Sequence, residues 1–309
     1  MRNSELSIYR IFKVLVKPFI GSGIGRFKPL NALYQSIAKS LLKPEQFLVN
    51  VNDYKMFLHA SDVDGIDGIS QHILFKGTYE PLTTELFNRL VKPGMTVIDI
   101  GANIGYFTLL AAKLVGKEGK VYAFEPESKN YELLIKNINI NKFDNVVPIQ
   151  KAITAKSGKT ELFINRMEPG AHSIFKENGR CLPSIIVETV SLDEFCENKH
   201  ILPDLIKIDV EGAEIGVLRG ANKVITKQEN VKIIIEFSPD NIKKAGFSNE
   251  SFWSQLIQGR LEYIYLISDQ TNKLKIVNLQ SIMKMFGRTP SRRTNYVNLL
   301  CSKSPITIS

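Results

Sequence analysis

Carboxylates and glycines fall in this chain at spacings that suit a nucleoside ligand. Val97-Ile-Asp-Ile-Gly-Ala-Asn-Ile-Gly105 joins a short apolar run to Asp99-x-Gly101-x-Asn103-x-Gly105, and Tyr106 to Leu114 continues with helical periodicity. Glycines between a strand and a helix let a ligand approach the backbone closely, at the carboxyl edge of the strand and the amino end of the helix. Lys120-Val-Tyr-Ala-Phe-Glu125-Pro126 reads as the next strand, stopped by proline and ending in an acid suited to accept hydrogen bonds from ribose hydroxyls. A nicotinamide cofactor asks for Gly-x-Gly-x-x-Gly, so that backbone and helix dipole hold a diphosphate. Asn103 and Tyr106 stand where its second and third glycines belong. A ribose-bearing cofactor without a diphosphate fits better, and S-adenosylmethionine meets that description.

A second acidic group lies downstream. Asp209 and Glu211 close the run Leu205-Ile-Lys-Ile-Asp-Val-Glu-Gly212, and Glu236 ends Val231 to Glu236. In a parallel sheet these three are expected to gather at the carboxyl ends of neighbouring strands. A carboxylate there takes a proton from an acceptor hydroxyl or orients it. No metal is required, but Asp209 and Glu236 are the expected ligands if a hard divalent cation acidifies that hydroxyl. Structural readings compete: Glu211 capping the helix after Gly212, and Asp209 bonding backbone amides. Lys207 is unusual for a strand interior and is expected to pair with a carboxylate or reach the edge of the site. His172, in the loop Gly170-Ala-His-Ser173, is a candidate base, with plain solvation as its alternative.

The elements that must position these residues follow from periodicity. Strands are expected at 97–100, 120–125, 145–150, within 205–212 (a strand and its turn), 231–236, 261–267 and 295–301, with an edge strand at 160–164. Helices are expected at 82–91, 130–141, between Glu211 and Val224, and at 249–258. This alternation implies an α/β, doubly wound, seven-stranded and mainly parallel sheet of Rossmann-like form, its last strand antiparallel. Ahead of it, helices at 6–19 and 31–42 flank the glycine-rich segment 21–25, and Phe47 to Ala60 reads as two short strands turning near Asn52-Asp53. Asp62, Asp64 and Asp67 have the wrong glycine spacing for a calcium loop and read as a solvated turn. Two domains are therefore expected: residues 1–69 as a basic helical extension with a strand pair, and residues 70–309 around the sheet.

With these residues placed, the chain resembles the FkbM-type S-adenosylmethionine-dependent methyltransferases. The matching segments are Val97 to Thr108, Phe124-Glu-Pro126, Ser191-Leu-Asp193 and Leu205 to Glu214, the last being the most family-specific. The resemblance implies a class I methyltransferase fold and O-methylation of a sugar, glycan or natural-product hydroxyl. It places Asp99, Gly101, Asn103 and Gly105 around the methionine and ribose, Glu125 on the ribose diol and Ala152 beside the adenine. Tyr79 and Glu80 lie over the cofactor in that family, and a serine of the insertion near 173 lies on the substrate side. Asp209 and Glu211 are implied for the acceptor side.

Composition narrows the partners. Residues 1–60 hold nine basic and three acidic side chains and residues 281–309 hold five basic and none acidic, so of the net +9 the centre carries a slight negative excess. Enzymes of nucleic acids usually set a basic stripe beside the active site, so no nucleic acid is expected and the acceptor is expected to be a small molecule or glycan. Ile8, Ile11, Phe12, Leu15, Val16 and Phe19 share one helical face with Arg10, Lys13 and Lys17 mostly off it, a pattern that lies on an anionic membrane or docks on the protein itself. Cys181, Cys196 and Cys301 have neither disulfide nor metal spacing, and no membrane-spanning run or signal peptide is evident, so a cytoplasmic location is expected, with peripheral contact at the inner membrane surface through residues 1–20 as the alternative to docking. Two other functions compete: a nicotinamide oxidoreductase, which lacks its glycine fingerprint, and a non-catalytic membrane-surface scaffold with a degenerate site, against which the intact glycines and Glu125 stand.

Overall fold

The computed structural model describes residues 46–51, 53–59, 68–165, 172–176, 182–268, 273–287 and 296–306. The amphipathic stretch 1–20, the glycine-rich 21–25, the helix expected at 31–42, the turn around Asp62, Asp64 and Asp67, and Cys181 lie outside those residues. The chain divides into two compact units, the first ending at Tyr79 and the second beginning at Glu80.

In the first unit, β1 (Gln46–Val51) and β2 (Tyr54–His59) pair antiparallel, with Val51 opposite Tyr54 across the turn at Asp53. Tyr54, Met56 and Leu58 are buried at alternate positions, as a strand with one covered face requires. Helix α1 (Gly68–Lys76) follows and buries Ile73 and Leu74.

The second unit opens with α2 (Pro81–Leu90), β3 (Thr96–Ile100), α3 (Tyr106–Val115), β4 (Lys120–Phe124), α4 (Ser128–Ile140) and β5 (Val146–Ile149). A small sheet follows, of β6 (Ala152–Ile153), β7 (Gly158–Phe163) and β8 (Ser184–Val190). The chain then runs through α5 (Leu192–Lys199), β9 (Leu205–Ile208), α6 (Glu214–Gly220), α7 (Asn222–Lys227), β10 (Lys232–Phe237), α8 (Pro239–Lys244) and α9 (Asn249–Gln258). It ends with β11 (Tyr263–Ser268), β12 (Lys273–Ile276), α10 (Leu279–Gly287) and β13 (Val297–Ser302).

The main sheet has the order β12-β11-β13-β10-β9-β3-β4-β5. Strands β5, β4, β3, β9 and β10 are mutually parallel, and β13 lies antiparallel between β10 and β11. The seven expected strands are all present, and an eighth, β12, pairs antiparallel along the β11 edge. The strand expected at 160–164 belongs instead to the small sheet, where β7 and β6 flank β8 around Ala152, Leu162 and Val187. The single helix expected after Glu211 is two, α6 and α7. At Gly220 a Cβ would lie 2.1 Å from the Thr154 carbonyl oxygen, so only glycine lets the end of α6 pass that close.

Strand β10 reads Lys-Ile-Ile-Ile-Glu-Phe, and everything in it but Lys232 is buried, as expected of a strand covered on both faces. Each fully buried isoleucine there contributes about 1.5–3 kcal/mol. The chain leaves β3 toward β4 and β5, then returns to lay β9 on the other side of β3 and β10 beyond it. Because crossovers are right-handed, this reversal puts α3 and α4 on one face and α6 and α7 on the opposite one. It also opens a crevice at the carboxyl ends of β3 and β9, the place where open α/β sheets bind ligands.

Candidate active site

Asp99, in β3, and Lys207, in β9, are register partners across the centre of the sheet, and both are buried. Thr108, one turn into α3, donates its hydroxyl to Asp99 Oδ2 at 2.6 Å, while Oδ1 receives no hydrogen bond. Burial pushes the Asp99 carboxyl above the usual range, with Lys207 opposing. Lys207 Nζ donates to Asp209 Oδ2 at 2.7 Å and sits 4.7 Å from the centre of the Phe107 ring. Burial alone would lower the Lys207 pKa, but Asp209, Glu80 and Asp99 outweigh it and hold the ammonium charged. The pairing expected of Lys207 is present.

The glycine turn has a reason beyond ligand approach. Gly101 has φ +80, and a Cβ there would lie 1.8 Å from the Asp209 carbonyl oxygen, so this glycine lets the β9 turn close on the β3 turn. Gly105, φ +96, would bring a Cβ to 2.6 Å from the end of the Leu134 side chain of α4, a movable group rather than backbone. Between them, Asn103 takes the left-handed conformation at φ +50. Its side-chain oxygen accepts the Ile104 N–H, and its own N–H donates to Glu125 Oε2 at 2.8 Å. The Glu127 N–H donates to Glu125 Oε1 at 2.9 Å, so each Glu125 oxygen holds one backbone donor and keeps a lone pair. Glu125 is buried, and its carboxyl is pushed up to about 8 by that burial, with the backbone bonds opposing and the Glu127 and Asp99 charges adding.

On the other side of the crevice, Asp209, Glu211 and Glu236 each place one carboxylate oxygen within 4.8 Å of the others. Glu211 adopts φ +50 ahead of Gly212 at φ +102, a turn that costs a non-glycine residue about 1–2 kcal/mol. Glu211 does not cap α6: the cap position is Ala213, with no side-chain cap bond, and Glu214 Oε1 accepts the Gly212 and Val210 N–H groups of the turn ahead of the helix. Asn241 of α8 donates to Glu211 Oε2 at 3.0 Å, and the Ser173 hydroxyl donates to the Glu211 carbonyl oxygen at 2.9 Å. Burial and the neighbouring Asp209, Glu211, Glu214 and Glu80 push the Glu236 carboxyl well above the usual range.

Glu80, also left-handed at φ +42, stands at the entry of α2 without capping it. Its Oε2 accepts from Asn298 Nδ2 at 2.9 Å, and Asn298 faces Glu236 across the β10–β13 pair. Burial raises Glu80 to about 7, with Lys207 opposing and Asp209 adding. Tyr296 is raised too, by burial and then by Glu80, Glu236, Asp209 and Glu211. Three left-handed non-glycine residues in one crevice is an arrangement that collects at functional sites.

The remaining expected residues are placed as follows. His172 Nδ1 accepts the Asn165 N–H at 3.1 Å, which puts the neutral ring's proton on Nε2 and leaves no lone pair to take another. Ala152 directs its side chain into the core of the small sheet. Tyr79 belongs to the first unit, where its ring lies 6.1 Å from that of His72. Thr108, Glu214, Asn241, Tyr296 and Asn298 escaped the sequence reading. Of these only Glu214 carried a signal, standing three residues beyond Glu211 at the opening of a helix.

The sequence matches the methyltransferase FkbM domain over residues 99–265, more than half of the chain. It is 26% identical over 144 residues to the hexuronic acid methyltransferase AglP of Haloferax volcanii, an alignment covering 46% of this chain and 56% of that protein. The chain thus spans little more than half the length of that relative. It is 25% identical over 208 residues to the methyltransferase sdnD of Sordaria araneosa, covering 58% of this chain and 79% of that one. Among solved structures it is similar to a SAM-dependent O-methyltransferase of Thermotoga maritima, with a TM-score of 0.42 and 12% identity over 88% of this chain and 97% of that one.

Proposed function

The chain belongs to the FkbM methyltransferase domain family, and from that premise we propose that it methylates a hydroxyl group of a sugar, glycan or natural product. Its cofactor is S-adenosylmethionine. The crevice residues fit that group. Glu125 keeps one lone pair on each oxygen for a diol, and Asp99 Oδ1 is a buried acceptor without a donor, suited to the ammonium of an amino-acid end. Bound there, S-adenosylmethionine supplies a methyl group on a sulfonium; an S–C bond breaks, an O–C bond forms, and one proton leaves the acceptor.

The chain's own part is to orient the acceptor and take that proton. The observation that carries the reading is the convergence of the Asp209, Glu211 and Glu236 carboxylates within 4.8 Å, across the crevice from Asp99 and Glu125. Asp209 and Glu211 are the assigned acceptors of the proton, because each is only half-buried while Glu236 is covered. Such a set suits hydroxyl-rich acceptors and repels the phosphate backbone of a nucleic acid. His172, with Nδ1 already bonded, is assigned to holding its loop. The hexuronic acid methyltransferase among the relatives supports a saccharide acceptor.

An Asp209→Asn, Glu211→Gln double variant is expected to bind S-adenosylmethionine within about twofold of wild type. Its methyl transfer should fall at least ~100-fold, the loss typical of a missing general base. Formation of S-adenosylhomocysteine over a panel of sugars, uronic acids and polyols measures this. Undiminished turnover in the variant would remove both residues from the acceptor side.

A further inference from the structure

We propose that Tyr296 binds the methyl acceptor, its phenolic hydroxyl donating a hydrogen bond to an oxygen next to the hydroxyl that is methylated. This role rests on the function proposed above and narrows it, to acceptors that carry a second oxygen beside the reacting one, as a vicinal diol does. Strand register places the residue. Cross-strand partners share a face of the sheet, and positions two apart in a strand return to that face. Asp99, Lys207 and Ile234 are partners in one row across β3, β9 and β10. Glu236 stands two residues on from Ile234 and pairs with Asn298 of β13. Tyr296, two residues before Asn298 and just ahead of β13, continues this face at the carboxyl edge of β10, where the crevice opens. Val297 and Leu299 alternate with them and pack into the core of the opposite face.

The groups around the phenol come from α2, β10 and the turn after β9. Asn298 donates to Glu80 Oε2 at 2.9 Å and to the Thr83 hydroxyl at 3.4 Å, which ties the entry of α2 to this face. The charges of Glu80, Glu236, Asp209 and Glu211 all act on Tyr296, adding to burial in raising its pKa, so the group stays a protonated phenol. Tyr296 is half-buried, and among the described residues its hydroxyl makes no hydrogen bond.

An ionised carboxylate accepts hydrogen bonds and donates none. Asp209 and Glu211 therefore receive the acceptor's hydroxyl protons, while its oxygens need a donor, and Tyr296 supplies one beside them. A donor on the reacting oxygen itself would draw on the lone pair that attacks the methyl group, so the productive partner is a neighbouring oxygen. Tyr296, already protonated, does not take the reaction's proton, which passes to Asp209 or Glu211 as before. Its part is selection: a site built to bond a substrate oxygen rejects an analogue without that oxygen, because the donor is left unpaired.

The test is an NMR titration of methyl glucuronoside, methyl glucoside and their monodeoxy analogues into the full chain saturated with S-adenosylhomocysteine, as wild type and as Tyr296→Phe. That variant keeps the ring and loses only the hydroxyl. S-adenosylmethionine binding is measured by calorimetry on the same proteins and is expected to agree within about twofold. Tyr296→Phe is expected to bind a saccharide at least ~5-fold more weakly than wild type, the loss of one neutral hydrogen bond. One monodeoxy analogue should lose as much in wild type and nothing further in the variant, which identifies the oxygen that the phenol bonds. Equal saccharide affinity in the two proteins would overturn the role of Tyr296, and so would a loss that every monodeoxy analogue shares alike, since the hydroxyl then meets no particular oxygen. Saccharide binding by neither protein would overturn it as well. In each case S-adenosylmethionine binding by wild type leaves the methyltransferase reading standing, and its absence would count against that reading too.

Discussion

Replacing Lys207 with Met is expected to destabilise the protein by about 3–5 kcal/mol, the range found when one partner of a buried ion pair is removed. The side chain keeps most of its length, so packing in the centre of β9 changes little and the loss is one of charge. Lys207 is 4% exposed and bonds Asp209 at 2.7 Å, and it is the charge that offsets Asp99 and Glu80. Without it, buried carboxylates face one another in a medium that screens them poorly. Its contact over the Phe107 ring goes as well, worth on the order of 1–2 kcal/mol when desolvated. Urea unfolding of wild type and Lys207→Met reads the difference. A loss below ~1 kcal/mol would mean that solvent, not Lys207, neutralises the crevice.

Gly101→Ala is expected to cost a similar amount, roughly 3–5 kcal/mol, for a different reason. The backbone at φ +80 strains any L side chain by about 1–2 kcal/mol. The added methyl would overlap the Asp209 carbonyl oxygen at 1.8 Å, where backbone rather than a movable side chain must yield. The β3 and β9 turns then separate, and Asp209 leaves its place beside Lys207. Gly77→Ala is the comparison: a similar φ of +74, but nothing within 4 Å of the new methyl, so only the backbone strain is felt. If the two variants lose stability equally, the approach of the two turns is not what fixes Gly101.

Why some of this was legible and some not follows from distance along the chain. The strands of the main sheet are continuous apolar runs, and Asp99, Glu125, Asp209 and Glu236 stand within them or at their ends, so the pattern that names a strand also names its carboxylates. Strand β12, Lys-Leu-Lys-Ile, is short and half charged, as exposed edge strands are, and carries no such signal. Glycines in such a turn suit the close approach of a ligand, whereas at Gly101 the nearest intruder is another turn of the protein, over a hundred positions away in sequence. Asn298 reaches Glu80 across 218 positions and Asn241 reaches Glu211 across 30, and neither asparagine differs locally from a solvated one. Hydrogen bonds that form only when the sheet closes leave no periodicity to read. The residues around Glu80 also suit a helix-entry turn, and only its bond to β13 separates that role from one in the crevice.

On the proposed function, Glu125 receives the ribose of S-adenosylmethionine. Burial raises its carboxyl to about 8, with Glu127 and Asp99 adding their charges and two backbone donors opposing. A folded-state pKa above the usual 4.5 means that the carboxylate is the main form only above about 8. Ribose hydroxyls bond the ionised form more strongly, so wild-type affinity should fall as pH drops below that value, by up to ~10-fold per unit. A Glu125→Ala variant lacks that slope, which separates it from the titration of the cofactor's own amino group near pH ~8. The most direct measurement is calorimetric titration of S-adenosylmethionine into both proteins at pH 8.5. Micromolar binding by wild type and a loss of about tenfold or more in Glu125→Ala are expected, equivalent to ~1.4 kcal/mol of ribose hydrogen bonding. Equal affinity in the two proteins, or a folded wild type that does not bind, would contradict this role of Glu125.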